Sequence, residues 1–145
     1  MKSHGFTLIE LVTVMLIVGI LSAVAYAQFF NRADFDSRAF YDQALSTLRY
    51  AQKAAIAQRK YVCVAFTSNS ISLSYGATSA CGTALASASG AAYPLTNSNA
   101  SFSGGAPSGI YFDPLGRASA AASISITGYS AASITVEAET GYVHP

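Results

Sequence analysis

Residues 6–30 form a run of 25 residues with one charged side chain, Glu10, and no feature constrains this chain more. As a helix rising 1.5 Å per residue the run is roughly 37 Å long. That length crosses a hydrocarbon layer of about 30 Å with some tilt. A carboxylate inside such a helix is costly, by about a few kcal/mol in a bilayer, and such groups usually have a partner and a job. Glu10 also lies in the first turns, where negative charge suits the helix dipole.

The residues leave rival readings open. Ala25-Tyr26-Ala27 before Gln28 resembles a signal-peptidase site behind a basic start. Against that reading, the run is longer than a usual signal core, and Glu10 falls where that core should be purely apolar. A plain single-span anchor is a second rival, and it makes no use of Gly5 or Glu10. On that reading Glu10 is a charge near the headgroups with no role.

Lys2, then Gly5-Phe6-Thr7-Leu8-Ile9-Glu10, then the apolar helix, resembles the N-terminus of type IV prepilins and type II secretion pseudopilins. The resemblance implies that residues 1–5 are a leader and that a prepilin peptidase cuts after Gly5. It implies that the same enzyme methylates the new terminal amine on Phe6. The matching glutamate, Glu10, would pair with the terminal amine of a neighbouring subunit during assembly. Opposite charges brought together at low dielectric each lower the cost of the other. The implied location is the bacterial inner membrane, single-pass with the rest of the chain in the periplasm, and then the assembled filament. The implied partners are the peptidase, the membrane and other pilin or pseudopilin subunits.

Residues 31–60 contain neither Pro nor Gly, and the periodicity predicts that the helix continues through them. Tyr41, Leu45, Leu48 and Ala55 recur at helical spacing, with Ala44 and Ala51 beside them. Arg59 and Lys60 crowd the end, where cations suit the dipole. A helix from Phe6 to about Arg59 is roughly 80 Å long. Its first half is apolar all round and its second half amphipathic, a shaft that becomes one wall of a globular domain. Gly19 costs about 1 kcal/mol relative to Ala; it suits close helix contact or local melting, or is simply tolerated. Many major pilins carry a Pro near the middle of this helix. The first Pro here is Pro94, so no such break is carried over.

After Lys60 the period changes to that of strands. Tyr61–Phe66 reads as a buried strand and Ser70–Tyr75 as a half-buried one, with a turn at Thr67-Ser68-Asn69. Residues 76–108 read as a long Gly/Ala/Ser/Asn loop with one short strand near Ala100–Ser103. Ile110–Phe112, Ser123–Thr127, Ser133–Val136 and Tyr142-Val143 are further strands. Turns fall at Asp113-Pro114-Leu115-Gly116, near Gly128 and at Thr140-Gly141. The expected fold class is α+β, with five to seven antiparallel strands in a domain of residues 61–145, packed on the helix of residues 31–60.

Phe112–Arg117 and Ile134–Val143 resemble the C-terminal half of GspH/FimT-type minor pseudopilins and pilins. Tyr41–Arg59 is similar to the same group and to minor pilins of mannose-sensitive haemagglutinin systems. These likenesses imply a subunit at or near the filament tip that helps initiate or cap assembly of a pilus or a secretion pseudopilus. Cys63 and Cys81 are the only cysteines. In an exported domain the pair favours a disulfide, worth about 3 kcal/mol for a loop of this size; two separate buried thiols are the alternative.

No catalytic set is present, and an enzyme is not expected. His4 falls in the leader, His144 lies near the end, and no metalloprotease, phosphate-loop or triad pattern occurs. No cofactor or metal is expected either. Asp113, Glu137 and Glu139 are a conceivable weak cation site, though turn and edge-strand roles fit them better. The alternative function is a DNA-binding minor pilin for DNA uptake, which some FimT-like proteins are. Phosphate neutralisation needs Lys or Arg, and residues 61–145 offer only Arg117, so the charge pattern argues against a nucleic-acid partner.

Overall fold

The computed structural model describes residues 7–29, 32–87, 90, 93–103 and 109–145. It divides into two units, Met1–Arg32 and Ala33–Pro145. The first unit holds helix α1, Leu8–Phe29. A run this apolar offers nothing outside itself for backbone groups to bond, and the helix satisfies them internally. Its hydroxyls behave alike: Thr13 Oγ1 donates to the Glu10 carbonyl at 2.9 Å and Ser22 Oγ to the Val18 carbonyl at 2.7 Å. Among the described residues no helix is long and apolar enough to cross a membrane. The expected span of residues 6–30 begins and ends outside the described residues. The expected passage of the helix through Phe30 and Asn31 also lies outside them.

In the second unit, helix α2 covers Arg32–Gln58. Its buried face is Phe40, Tyr41, Ala44, Leu48, Ala51, Ala54 and Ala55, with Ser37 and Thr47. The expected stripe is therefore correct in period but rotated. Its centre runs through Phe40, Ala44, Leu48, Ala51 and Ala55, all fully buried, and Leu45 is only half-buried at the margin. Alternating large and small side chains along this row let both sheets approach the helix closely. The helix ends where Arg59 takes a left-handed φ of 51° and the Lys60 N–H bonds the Ala55 carbonyl at 3.2 Å. This is the Schellman arrangement with a non-glycine residue at its left-handed position.

Nine strands follow among the described residues, all paired antiparallel. They are β1 Tyr61–Phe66, β2 Ser70–Gly76, β3 Thr83–Ala84, β4 Leu95–Thr96, β5 Phe102–Ser103, β6 Gly109–Phe112, β7 Ala122–Ile126, β8 Tyr129–Val136 and β9 Val143–His144. One sheet runs β3-β2-β1-β6, with β4 also on β2; the other runs β5-β7-β8-β9. In the first sheet Val64 lies between Leu73 and Ile110, and Val62 faces Phe112. The alternation of the strands turns these residues inward. Ile124, Ile126, Ile134, Val136 and Val143 do the same in the second sheet, and both sheets share one core with α2. Phe102 of β5 ties the layers together: its ring lies 4.9 Å from Phe40 on α2 and 5.4 Å from Phe66 on β1.

The strand count exceeds the expected five to seven, and the excess lies in residues 76–108. That stretch contributes three two-residue strands rather than one. Strands this short carry no period of their own; pairing to β2 and β7 creates them. β8 also begins at Tyr129, four residues before the expected Ser133, because Ser130-Ala131-Ala132 lacks a polar–apolar alternation.

Cys63, on the outward side of β1, is joined to Cys81 by a disulfide. In the core, the Tyr41 ring packs 4.8 Å from that of Tyr129. Its hydroxyl is buried and has no hydrogen-bond partner among the described residues. Burial, with Tyr129 and Asp42 nearby, pushes the Tyr41 phenol above its ordinary value, against a smaller opposing effect of Arg49. Burial likewise raises Tyr93, offset in part by a hydrogen bond with Thr47.

Candidate assembly segment

The start of α1 is built by Thr7. Its Oγ1 accepts the N–H of Glu10 at 3.3 Å, and its carbonyl accepts the N–H of Leu11 at 3.2 Å. Thr7 is thus the N-cap, and Thr7-Leu8-Ile9-Glu10 has the T-x-x-E spacing of a capping box. The reciprocal half is not made: among the described residues the Glu10 carboxylate takes no hydrogen bond or ion pair. Its charge is therefore exposed in the first turn, favoured by the helix dipole but not consumed by the cap. Around it Leu8 is 81% exposed and Ile9 68%, and large exposed apolar side chains continue along the helix to Leu21. An added methyl at Gly19 meets nothing within 4 Å of this chain. Gly5 and Phe6, the expected cleavage and methylation positions, lie outside the described residues.

The second element is a set of hydrogen bonds from α2 to backbone carbonyls of the β domain. Ser37 Oγ donates to Thr127 at 3.0 Å, Arg49 Nε to Val143 at 3.1 Å, and Gln52 Nε2 to both Gly116 at 3.2 Å and Thr140 at 2.9 Å. Gln52 therefore binds two turns at once. One is the Asp113–Gly116 turn, closed by the Gly116 N–H on the Asp113 carbonyl at 2.9 Å. The other is Thr140-Gly141. Both glycines have positive φ, 85° and 64°. A methyl on Gly141 would run into the Gly116 carbonyl, and one on Gly116 would lie 2.7 Å from Ile56 Cδ1. Glycine is needed there for both conformation and space. So Phe112–Arg117 and Ile134–Val143, far apart in sequence, meet on one helix residue.

The sequence reading missed Thr7, Gln52, Ser37 and Arg49. Thr7 had a signal in its spacing to Glu10. Gln52 sits one place beyond the buried Ala51, where a long polar side chain can reach along the sheet ends. Asp113 and Glu139 line one cleft, but Glu137 is not among its walls, so the three do not form one site. Asp113 Oδ1 accepts the N–H groups of Leu115 at 2.9 Å and Arg117 at 2.8 Å, which is a turn role. Glu137 lies 3.4 Å from His144 Nε2. Among the described residues no three His, Cys, Asp or Glu side chains are grouped to hold a metal ion.

Comparison with known proteins bears on the first of these elements. Residues 1–26 match the family model of the prokaryotic N-terminal methylation motif, a stretch that contains Gly5, Phe6, Thr7 and Glu10. The chain is also similar to the type IV narrow pilus major component PilA5 of Thermus thermophilus, at 40% identity over 60 residues, 41% of this chain. It spans about half the length of that relative, 52%. No solved structure matches the chain. The chain thus carries the methylation motif at its start and is similar over part of its length to a type IV pilin.

Proposed function

We propose that this chain is a filament subunit, a minor pilin or pseudopilin that helps initiate or cap a type IV pilus or a type II secretion pseudopilus. The observation that carries the reading is the methylation motif set at the head of an exposed apolar helix. Prepilin peptidase cuts after Gly5 and methylates Phe6. The apolar helix holds the subunit in the inner membrane, with the β domain in the periplasm, until it joins other pilin subunits. Glu10, capped through its backbone but unpartnered at its carboxylate, meets the amine of a neighbour. In a bilayer that pairing offsets the few kcal/mol, about, that a lone carboxylate costs. The role is structural rather than enzymatic.

The preference for a tip subunit is supported by the likeness of the two Gln52-bound turns to GspH/FimT-type proteins. A second reading, a bulk filament subunit, is favoured by the match to a protein described as a major pilus component. Two measurements test the proposal. Intact mass and terminal sequencing of the mature protein should give methylated Phe6; a start at Gln28 or an uncut Met1 overturns it. Quantitation in sheared filaments then separates the readings: a trace component supports the tip, and the dominant component supports bulk.

A further inference from the structure

The outward side of the first sheet carries a cleft of about 340 Å³ that neither the assembly segment nor the core uses. Its walls include Tyr61, Tyr111, Asp113, Arg117, Ser119 and Glu139. The Tyr61 and Tyr111 rings lie edge to face, 5.8 Å between centroids and 69° apart. Such a pair, on adjacent strands β1 and β6, offers a fixed aromatic wall. Asp113 is held in place because its Oδ1 takes two backbone N–H groups, while its Oδ2 has no partner among the described residues. Ser119 Oγ accepts the Tyr111 N–H at 3.2 Å, which leaves its own proton to donate. The Arg117 guanidinium, the Glu139 carboxylate and both tyrosine hydroxyls make no side-chain hydrogen bond or ion pair with described residues.

We propose that this cleft binds a pyranose unit of a neutral glycan. A sugar ring presents a C–H face that lies against an aromatic ring and an edge of hydroxyls that both donate and accept. The cleft matches both: tyrosines for the face, and planar carboxylates and a guanidinium for the hydroxyls. Two carboxylates against one guanidinium leave it without the positive field that a phosphate backbone needs. Its volume lies at the low end of the usual range of about 300–1,000 Å³ for ligand sites, which suits a ring better than a larger compound. Asp113 is already fixed by its turn, so the ordering needed on binding falls mainly on the Arg117 and Glu139 side chains. The inference goes beyond the filament role and does not depend on it, because binding is read on the unassembled chain.

The test uses the full-length protein in detergent micelles. Saturation-transfer NMR is run with glucose, galactose, mannose, N-acetylglucosamine and N-acetylgalactosamine, and with phosphocholine and a short oligonucleotide as comparison probes. At least one sugar should bind, with the strongest transfer to its ring C–H protons. The exposed-site variants Arg117→Ala and Glu139→Gln should each weaken that binding about tenfold with unchanged thermal unfolding, and Tyr111→Ala should abolish it. If Tyr111→Ala fails to fold, the two exposed variants decide. No binding by any sugar, sugar binding unaltered in both exposed variants, or tighter binding of phosphocholine or the oligonucleotide than of every sugar would overturn the proposal.

Discussion

Gln52 and Tyr41 lie three turns apart on α2 and make opposite predictions about polar groups. Gln52 satisfies two carbonyls, Gly116 and Thr140, with one amide. Gln52→Ala should lower the unfolding free energy by about 1–2 kcal/mol, read by urea denaturation in detergent. Gln52→Glu should cost more than alanine, because a carboxylate cannot donate and faces two carbonyl oxygens. Tyr41 carries a buried hydroxyl with no partner among the described residues. Tyr41→Phe should therefore be neutral or stabilising by up to about 1 kcal/mol. The raised pKa values of Tyr41 and Tyr93 have a sign that can be checked. The unfolded chain ionises first, near the ordinary value of about 10, so stability is full below pH 10 and falls as the pH climbs past it. Denaturation curves between pH 8 and 11.5 should show this loss, and Tyr41→Phe should reduce it.

At the scale of elements, legibility followed how local each cause was. The apolar run 6–30 and its one glutamate were written in consecutive residues, so the helix and its charged first turn could be read directly, although the Thr7 cap was missed. The period of α2 was legible too, but its rotation was not: small Ala44 and Ala51 mark the centre only once two sheets press on them. β2, β7 and the second half of β8 announced themselves by alternation, and β1 and β6 as short apolar runs. β5 falls within the short strand expected near Ala100–Ser103, but β3 and β4 did not show, because two residues cannot alternate and their pairing partner is β2. The meeting of the two glycine turns on Gln52 was invisible for the same reason, although each turn was readable by itself. The staple from Cys63 to Cys81 joins β1 to one of these illegible stretches. Cys63→Ser should lower stability by about 3 kcal/mol, since it restores freedom to a loop of this size in the unfolded chain. Thermal unfolding with and without reductant should show that loss in the native protein and no further effect of reductant in the variant.

For the whole molecule, the change that matters on the proposed function is from free subunit to filament. On that proposed function, Glu10→Ala should leave cleavage and methylation at Phe6 intact, since there the carboxylate acts only when a second subunit arrives. Filament incorporation should fall sharply, measured as the variant's share of sheared material; normal incorporation would remove Glu10 from the assembly step. A subunit in a filament also carries load. The bonds from α2 to the second sheet and its turns start at Ser37 and end at Gln52, fifteen residues apart and so about 22 Å along the helix axis. A pull along that axis is shared by all of them in shear, rather than opening them one by one as a peel would. The same few hydrogen bonds that contribute modestly to equilibrium stability thus make the joint between α2 and the β domain strongest against a pull along the axis of α2.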